Sequence, residues 1–240
     1  MHQVPEAGSG FSGPFADRVD AGRVLAARLS ALKLRDPVVV GLPRGGVVVA
    51  AEVARILQVP LEIVVVRKVV APGNPELALG AVGEGGVLVR NEDLLKVVGL
   101  SRAAFQAAVD SAIAQVEARG RRLRGDRPPP DVGGRIVVLV DDGIATGATA
   151  DAAIRVLKAR GATRVVLAVP VAAPDAVARL LETADEVLVL DAPLRLGSVG
   201  AWYADFDEVT DDQVLRLLQP TVDPIDPIDP VDPGGHAGTP

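Results

Sequence analysis

Residues 137–149 read VVLVDDGIATGAT, and the fold follows from how that stretch begins and ends. The run 136–140 is apolar without interruption, as in a strand buried on both faces of a parallel sheet. Asp141 and Asp142 end it abruptly. Beyond the glycine-bearing turn 143–147, Ala150, Ala153, Ile154 and Leu157 recur at i, i+3, i+4 and i+7, the period of a helix with one apolar face. Gly161 stops that helix near Arg160. A buried strand, a turn and a helix in this order are half of a βαβ unit.

The same grammar repeats outward. Residues 38–42 form a buried strand, Pro43-Arg44-Gly45-Gly46 a tight turn, and 47–57 a helix with Ala50, Val53, Ala54 and Leu57 on one face. A helix over 17–32 precedes this unit, and a further buried strand at 61–66 follows it. The stretch 71–86, rich in Gly and Pro, reads as a loop, and a loop this long inside a compact domain is a lid or a disordered segment. Next come a strand at 87–90, a helix capped by Ser101 that reaches about Leu123, and a proline-rich linker at 127–134. After the central unit the alternation continues with a strand at 164–169, a helix near 175–182 and a strand at 186–190. The fold class is therefore α/β, with a central, mostly parallel sheet flanked by helices. Residues 1–14 read as a flexible N-terminus and 15–219 as one domain. From Pro220 the repeat VDP, IDP, IDP, VDP sets a proline at every third position, so 220–240 is expected to be a disordered Asp/Pro-rich tail.

Composition narrows the chemistry. The chain has no cysteine, which removes thiol nucleophiles, disulfides and cysteine metal sites. Its two histidines, His2 and His236, lie in the terminal segments, so a Ser-His-Asp triad or a histidine-held zinc has no residue to use in the core. No apolar run is long enough to span a bilayer, and the start lacks the basic-then-apolar form of a signal peptide, so a cytoplasmic protein is expected. Of the net charge of −6, four charges belong to Asp223, Asp226, Asp229 and Asp232, leaving the body at −2, which argues against a nucleic-acid surface. Arg119, Arg121, Arg122, Arg124 and Arg127 form a local exception, which the dipole at a helix C-terminus accounts for.

Ligands in an open parallel sheet sit beyond the carboxyl ends of the strands, where Asp141 and Asp142 lie. The turn after them offers backbone N–H groups and a helix dipole, a natural anion site. Thr146 and Thr149 add hydroxyl donors, while Gly143 and Gly147 allow close backbone approach. Two carboxylates beside a phosphate make sense if they accept hydrogen bonds from neighbouring hydroxyls. A phosphate plus a vicinal diol describes a ribose 5-phosphate. The competing motifs fit worse: there is no Lys for a Walker A loop, and Ala145 interrupts both GxGxxG and the methyltransferase pattern. Arg44 with the amides of Gly45 and Gly46 forms a second turn suited to a pyrophosphate.

An apolar strand, two acids and a TGxT turn together resemble the phosphoribosyl pyrophosphate motif of type I phosphoribosyltransferases. The likeness extends over about 15–218, to a group of bacterial members carrying LPRGG at 42–46, RK…APGNPELALGAV at 67–82 and a WY pair at Trp202-Tyr203. The resemblance implies that Asp141 and Asp142 hold the ribose hydroxyls, that Ala145, Thr146, Gly147, Ala148 and Thr149 hold the 5′-phosphate, and that Arg44 and Gly45 belong to the pyrophosphate loop, where a strained or cis peptide exposes the amides. It implies a closing loop after Arg67 and Lys68, with Lys68 reaching pyrophosphate, and a small hood at about 191–210 that binds the base. Trp202, the sole tryptophan, either stacks on that base or packs against Phe15 or Phe206.

The implied activity is Mg²⁺-dependent transfer of ribose 5-phosphate from phosphoribosyl pyrophosphate to a nitrogenous base, a step in nucleotide metabolism. Arg44, Lys68 and Asp142 are its expected catalytic residues. Mg²⁺ is expected through substrate oxygens, with Asp141 or Asp142 reached through water rather than as a resident metal site. No nucleic acid or membrane is an expected partner, and the assembly is expected to be a homodimer. Family members acting on 6-oxopurines place Asp immediately before TG; Ala145 stands there in this chain, which leaves the acceptor open. Glu76 and Glu84 either face solvent or meet Mg²⁺ or an amine. The alternative of another class is a non-catalytic regulator that senses phosphoribosyl pyrophosphate, and a methyltransferase-like protein is third.

Overall fold

A computed structural model describes residues 14–71, 73–125 and 127–219, so the expectations for the tail 220–240 and for most of the segment 1–14 lie outside the described residues. The chain runs α1 (Arg18–Ser30), β1 (Val38–Gly41), α2 (Gly45–Leu57), β2 (Leu61–Ile63), β3 (Val66–Ala71), β4 (Asn74–Gly83) and β5 (Val87–Arg90). There follow α3 (Glu92–Val98), α4 (Arg102–Arg124), β6 (Ile136–Val140), α5 (Ala148–Ala159), β7 (Arg164–Val171), α6 (Pro174–Leu180), β8 (Glu186–Asp191) and α7 (Asp211–Leu217). Five strands form a sheet in the order β2-β1-β6-β7-β8, every neighbour parallel. Among the described residues no helix is long and apolar enough to cross a membrane.

The apolar runs sort themselves by strand periodicity. Val38, Val40, Val137, Leu139, Val165 and Leu167 face the layer of α5 and α6, while Val39, Val138, Val140, Val166 and Ala168 face α1 and α2. Both faces are covered, which is why these strands show no polar alternation. β1 and β6 are direct neighbours, with Gly41 paired to Val140, so the two turns that leave them emerge side by side.

Two expectations are corrected here. The predicted strand at 61–66 is two elements: β2 ends at Ile63, and Val66 opens β3 in a separate sheet. The stretch 71–86 is not a long loop. It contains β4, which pairs antiparallel with β3 and with β5 in a three-stranded sheet. Within β4, Gly80 and Gly83 mark close packing rather than turns. A Cβ on Gly80 would fall 2.4 Å from the carbonyl oxygen of Val89, and one on Gly83 would fall 2.3 Å from Val156. Val69, Leu79 and Val82 of this sheet bury against Phe105, Val109 and Val116 of α4.

Glu84 also has its place here. It is buried at the turn between β4 and β5, where its carboxylate accepts from the Arg124 guanidinium at 2.8 Å and from the backbone N–H of Val65 at 3.1 Å. Arg124 donates further to Glu62 and to the carbonyl of Ile63, at 2.8 and 2.9 Å. Gly120 leaves room for this pair, since a Cβ there would sit 2.5 Å from a Glu84 oxygen. Glu84 thus ties the small sheet to α4 and β2 and faces neither solvent nor a substrate charge. Glu76 has its backbone in β4 and its side chain outside the described residues.

Candidate functional site

The turns after β1 and β6 touch. Gly46 packs on the second turn so closely that a Cβ would fall 2.8 Å from the Asp141 Cα and 2.9 Å from the Val140 carbonyl oxygen. A Cβ on Gly45 would overlap Asp142, 1.8 Å from Oδ2. Only glycine fits at either position, so the GG pair of the first turn is dictated by the acids of the second. The Pro43–Arg44 peptide is cis.

The second turn is anchored from below. Ile144 donates to the Val171 carbonyl at 2.9 Å and accepts from Ala173 at 2.9 Å, which fixes it to the end of β7. Gly147, at φ +75°, opens α5 without a side-chain cap, so the first N–H groups of that helix keep their capacity for an external acceptor. Ala145, Thr146 and Thr149 are exposed there.

Asp142 is the most heavily engaged member. Its Oδ2 accepts from Arg18 Nε at 2.8 Å, and both side chains are largely buried. Arg18 also donates to the Asp207 carbonyl at 2.8 Å and lies 3.7 Å over the Phe206 ring, a cation–π contact. The hydroxyl of Tyr203 donates to the backbone carbonyl of Asp142. Burial, with the Asp142 carboxylate as second cause, pushes that phenol far above its ordinary range, so it remains a donor. The segment 203–208 is in this way clipped onto one of the two acids.

Asp141 accepts from the Asp142 N–H at 2.9 Å. Burial, and next the Asp142 charge beside it, raise its carboxyl well above the ordinary carboxylate range. The folded chain therefore holds this proton to higher pH than the unfolded chain does, and stability falls as pH rises from the ordinary range through the raised value. Asp141→Asn removes that loss. Melting curves should show the variant a few degrees more stable than wild type at pH 8, with the gap closing by about pH 4. A difference independent of pH would contradict the assignment.

Lys68 and Arg67 lie on β3, not at the mouth of a loop. Arg67 and Thr149 border two adjoining cavities of about 500 and 560 Å³; Pro43 lines the first and Lys68 the second. The side chain of Arg44 forms an ion pair with Glu208. Trp202 is half-buried against the cluster of Phe15, Ala21 and Tyr203, and its indole N–H donates to the Leu196 carbonyl at 3.1 Å. The structure thus brings Arg44, Gly45, Asp141, Asp142 and the turn 145–149 to one end of the sheet. Arg67 and Lys68 line cavities that Thr149 also borders, and Trp202 packs with Phe15 and Tyr203.

Residues 17–198 match the phosphoribosyl transferase domain. The chain belongs to the phosphoribosyl transferase family. Two Mycobacterium tuberculosis proteins provisionally named phosphoribosyl transferases are each 50% identical over 204 residues, or 85% of this chain and 46% of their own length, so the chain spans about half of these curated relatives. The crystal structure of a Thermus thermophilus protein is 51% identical with a TM-score of 0.81, covering 85% of this chain and 97% of that one. A uracil phosphoribosyltransferase of Clostridioides difficile is 44% identical over 59 residues, 25% of this chain and 28% of its own. The α/β sheet described above is the type I phosphoribosyltransferase fold.

Within this candidate site, sequence reading missed Arg18 and Glu208. Arg18 stands 124 residues before Asp142 and carries no local motif; only the packing of α1 beside Phe206 and Asp207 brings it there. Tyr203 was visible as half of the WY pair, but its hydrogen bond to Asp142 was not.

Proposed function

We propose that the chain transfers ribose 5-phosphate from phosphoribosyl pyrophosphate to a nitrogenous base, releasing pyrophosphate. The observation that supports this most is the contact of the two turns, which sets two carboxylates for vicinal hydroxyls between two anion-binding loops. The turn 145–149 takes the 5′-phosphate, Asp141 and Asp142 take the ribose hydroxyls, and Arg44 with the Gly45 amide takes pyrophosphate. As the glycosidic bond to pyrophosphate breaks, positive charge develops on the ribose and negative charge on the leaving oxygens. Arg44 and Lys68 stabilise the latter, and the paired acids hold the former in place. Hard oxygen donors suit Mg²⁺, and Asp141 and Asp142 supply carboxylates that would help hold it through water beside the substrate's own oxygens. When bound, the ion would neutralise charge on the departing group.

One observation favours a second reading, a sensor of phosphoribosyl pyrophosphate. Asp142 and Arg44 are already engaged by Arg18 and Glu208 in this structure. Calorimetry with phosphoribosyl pyrophosphate and Mg²⁺, followed by a pyrophosphate-release assay over a panel of nucleobases, decides between them. At a ligand excess of about 100 times Kd the protein should gain roughly 2.7 kcal/mol of stability. Release with one base of the panel supports the transferase. Binding without release from any base supports the sensor, and no binding overturns both.

A further inference from the structure

We propose that α4 carries an anion subsite for a phosphate chain, formed by Arg119 and Arg122 on a cavity that Pro43 and Thr149 of the two turns also border. It extends the proposed donor site and rests on that reading for the identity of the chain it takes. The cavity of about 500 Å³ is bounded by Pro43 of the first turn, Thr149 of the second, Arg67 of β3, and Gln115, Arg119 and Arg122 of α4. Positions 115, 119 and 122 follow i, i+4 and i+7, so one face of the helix presents all three.

Arg119 is half-buried, and Arg122 is exposed to the cavity mouth while its guanidinium pairs with the same acid as Arg119 does. Asp211, a buried residue at the start of α7, accepts a hydrogen bond from Arg119 at 2.9 Å, and its carboxylate lies in ion-pair contact with Arg119 at 2.8 Å and with Arg122 at 2.5 Å. Two guanidinium groups share one carboxylate, and Arg67 of β3 adds a third positive charge to the same cavity, leaving an excess of two. The dipole at the end of α4 accounts for cations there in general. It does not account for two of them meeting a buried carboxylate at the edge of a cavity. Arg121, on the same turn, pairs instead with Glu117 at 3.9 Å and is not part of the cavity wall. A guanidinium pair beside Pro43 and Thr149 suits phosphate oxygens, either the pyrophosphate end of the donor or the chain of a free nucleotide.

Calorimetry of the full chain with inorganic pyrophosphate, at low and high salt, tests this. Arg122→Gln leaves Arg119 on Asp211, so the fold is retained, and it should weaken pyrophosphate binding about 10-fold or more. Arg121→Gln should bind as wild type does. Arg119→Gln combined with Asp211→Asn, which avoids an unpaired buried carboxylate, should match the Arg122→Gln loss. Raising salt should weaken wild type more than either variant. If phosphoribosyl pyrophosphate displaces pyrophosphate, the chain is the donor's. If a nucleoside triphosphate binds alongside phosphoribosyl pyrophosphate, the chain is a free nucleotide's. The proposal falls if wild type does not bind pyrophosphate, or if Arg122→Gln binds it as tightly as Arg121→Gln. A protein that binds pyrophosphate through Arg122 but never binds phosphoribosyl pyrophosphate would keep the subsite and overturn the proposed function instead.

Discussion

Asp142→Asn should lower affinity for phosphoribosyl pyrophosphate by about 10- to 100-fold, the loss of one charged acceptor for a ribose hydroxyl. In an assay with a competent base the rate should fall by roughly 10²–10³-fold. The fold should survive. The amide oxygen still accepts from Arg18, which keeps its bond to the Asp207 carbonyl and its place over Phe206. Loss of the Asp142 charge also relieves Asp141, whose carboxyl that charge helps to raise. Isothermal titration beside a thermal melt separates the effects. A variant that binds and turns over as wild type does would remove Asp142 from the site.

The second large effect is on stability. Arg124→Met takes away the guanidinium that satisfies Glu84, with the Arg124 side chain 2% exposed and that of Glu84 6%. Breaking a buried pair from one side costs about 3–5 kcal/mol, because the remaining charge is left without a partner. In a domain of this size that is on the order of 6–20 °C in Tm. Adding Glu84→Gln removes the stranded charge, so the double variant should recover part of the loss, and a double-mutant cycle measures the coupling. Equal melting of Arg124→Met and wild type would show that the small sheet is not tied to α4 through this pair.

The contrast between these two regions shows where sequence was a sufficient guide. Asp142 lies in a contiguous motif whose strand, acids and turn are each specified by their neighbours in the chain. Glu84 was conspicuous but uninterpretable, because its partners Arg124 and Val65 lie 40 and 19 residues away and come together only when β3 and β4 pair. The boundary between β2 and β3 was hidden for a related reason. Val64 and Val65 continue an unbroken apolar run, so nothing local marks the point where the chain leaves one sheet for another. In β4, Gly80 and Gly83 carry the composition of a loop while serving close packing.

Sequence by itself determined the parallel sheet, the two βα turns and the residues that line them, since each depends on periodicity and turn chemistry within about a dozen positions. Only the tertiary structure decided that these turns touch, through the β1–β6 pairing. It also decided that Asp142 is held by Arg18 and Tyr203, and that the arginines of α4 face a cavity. Those are contacts between elements far apart in the chain, fixed by how packed layers meet rather than by any local pattern.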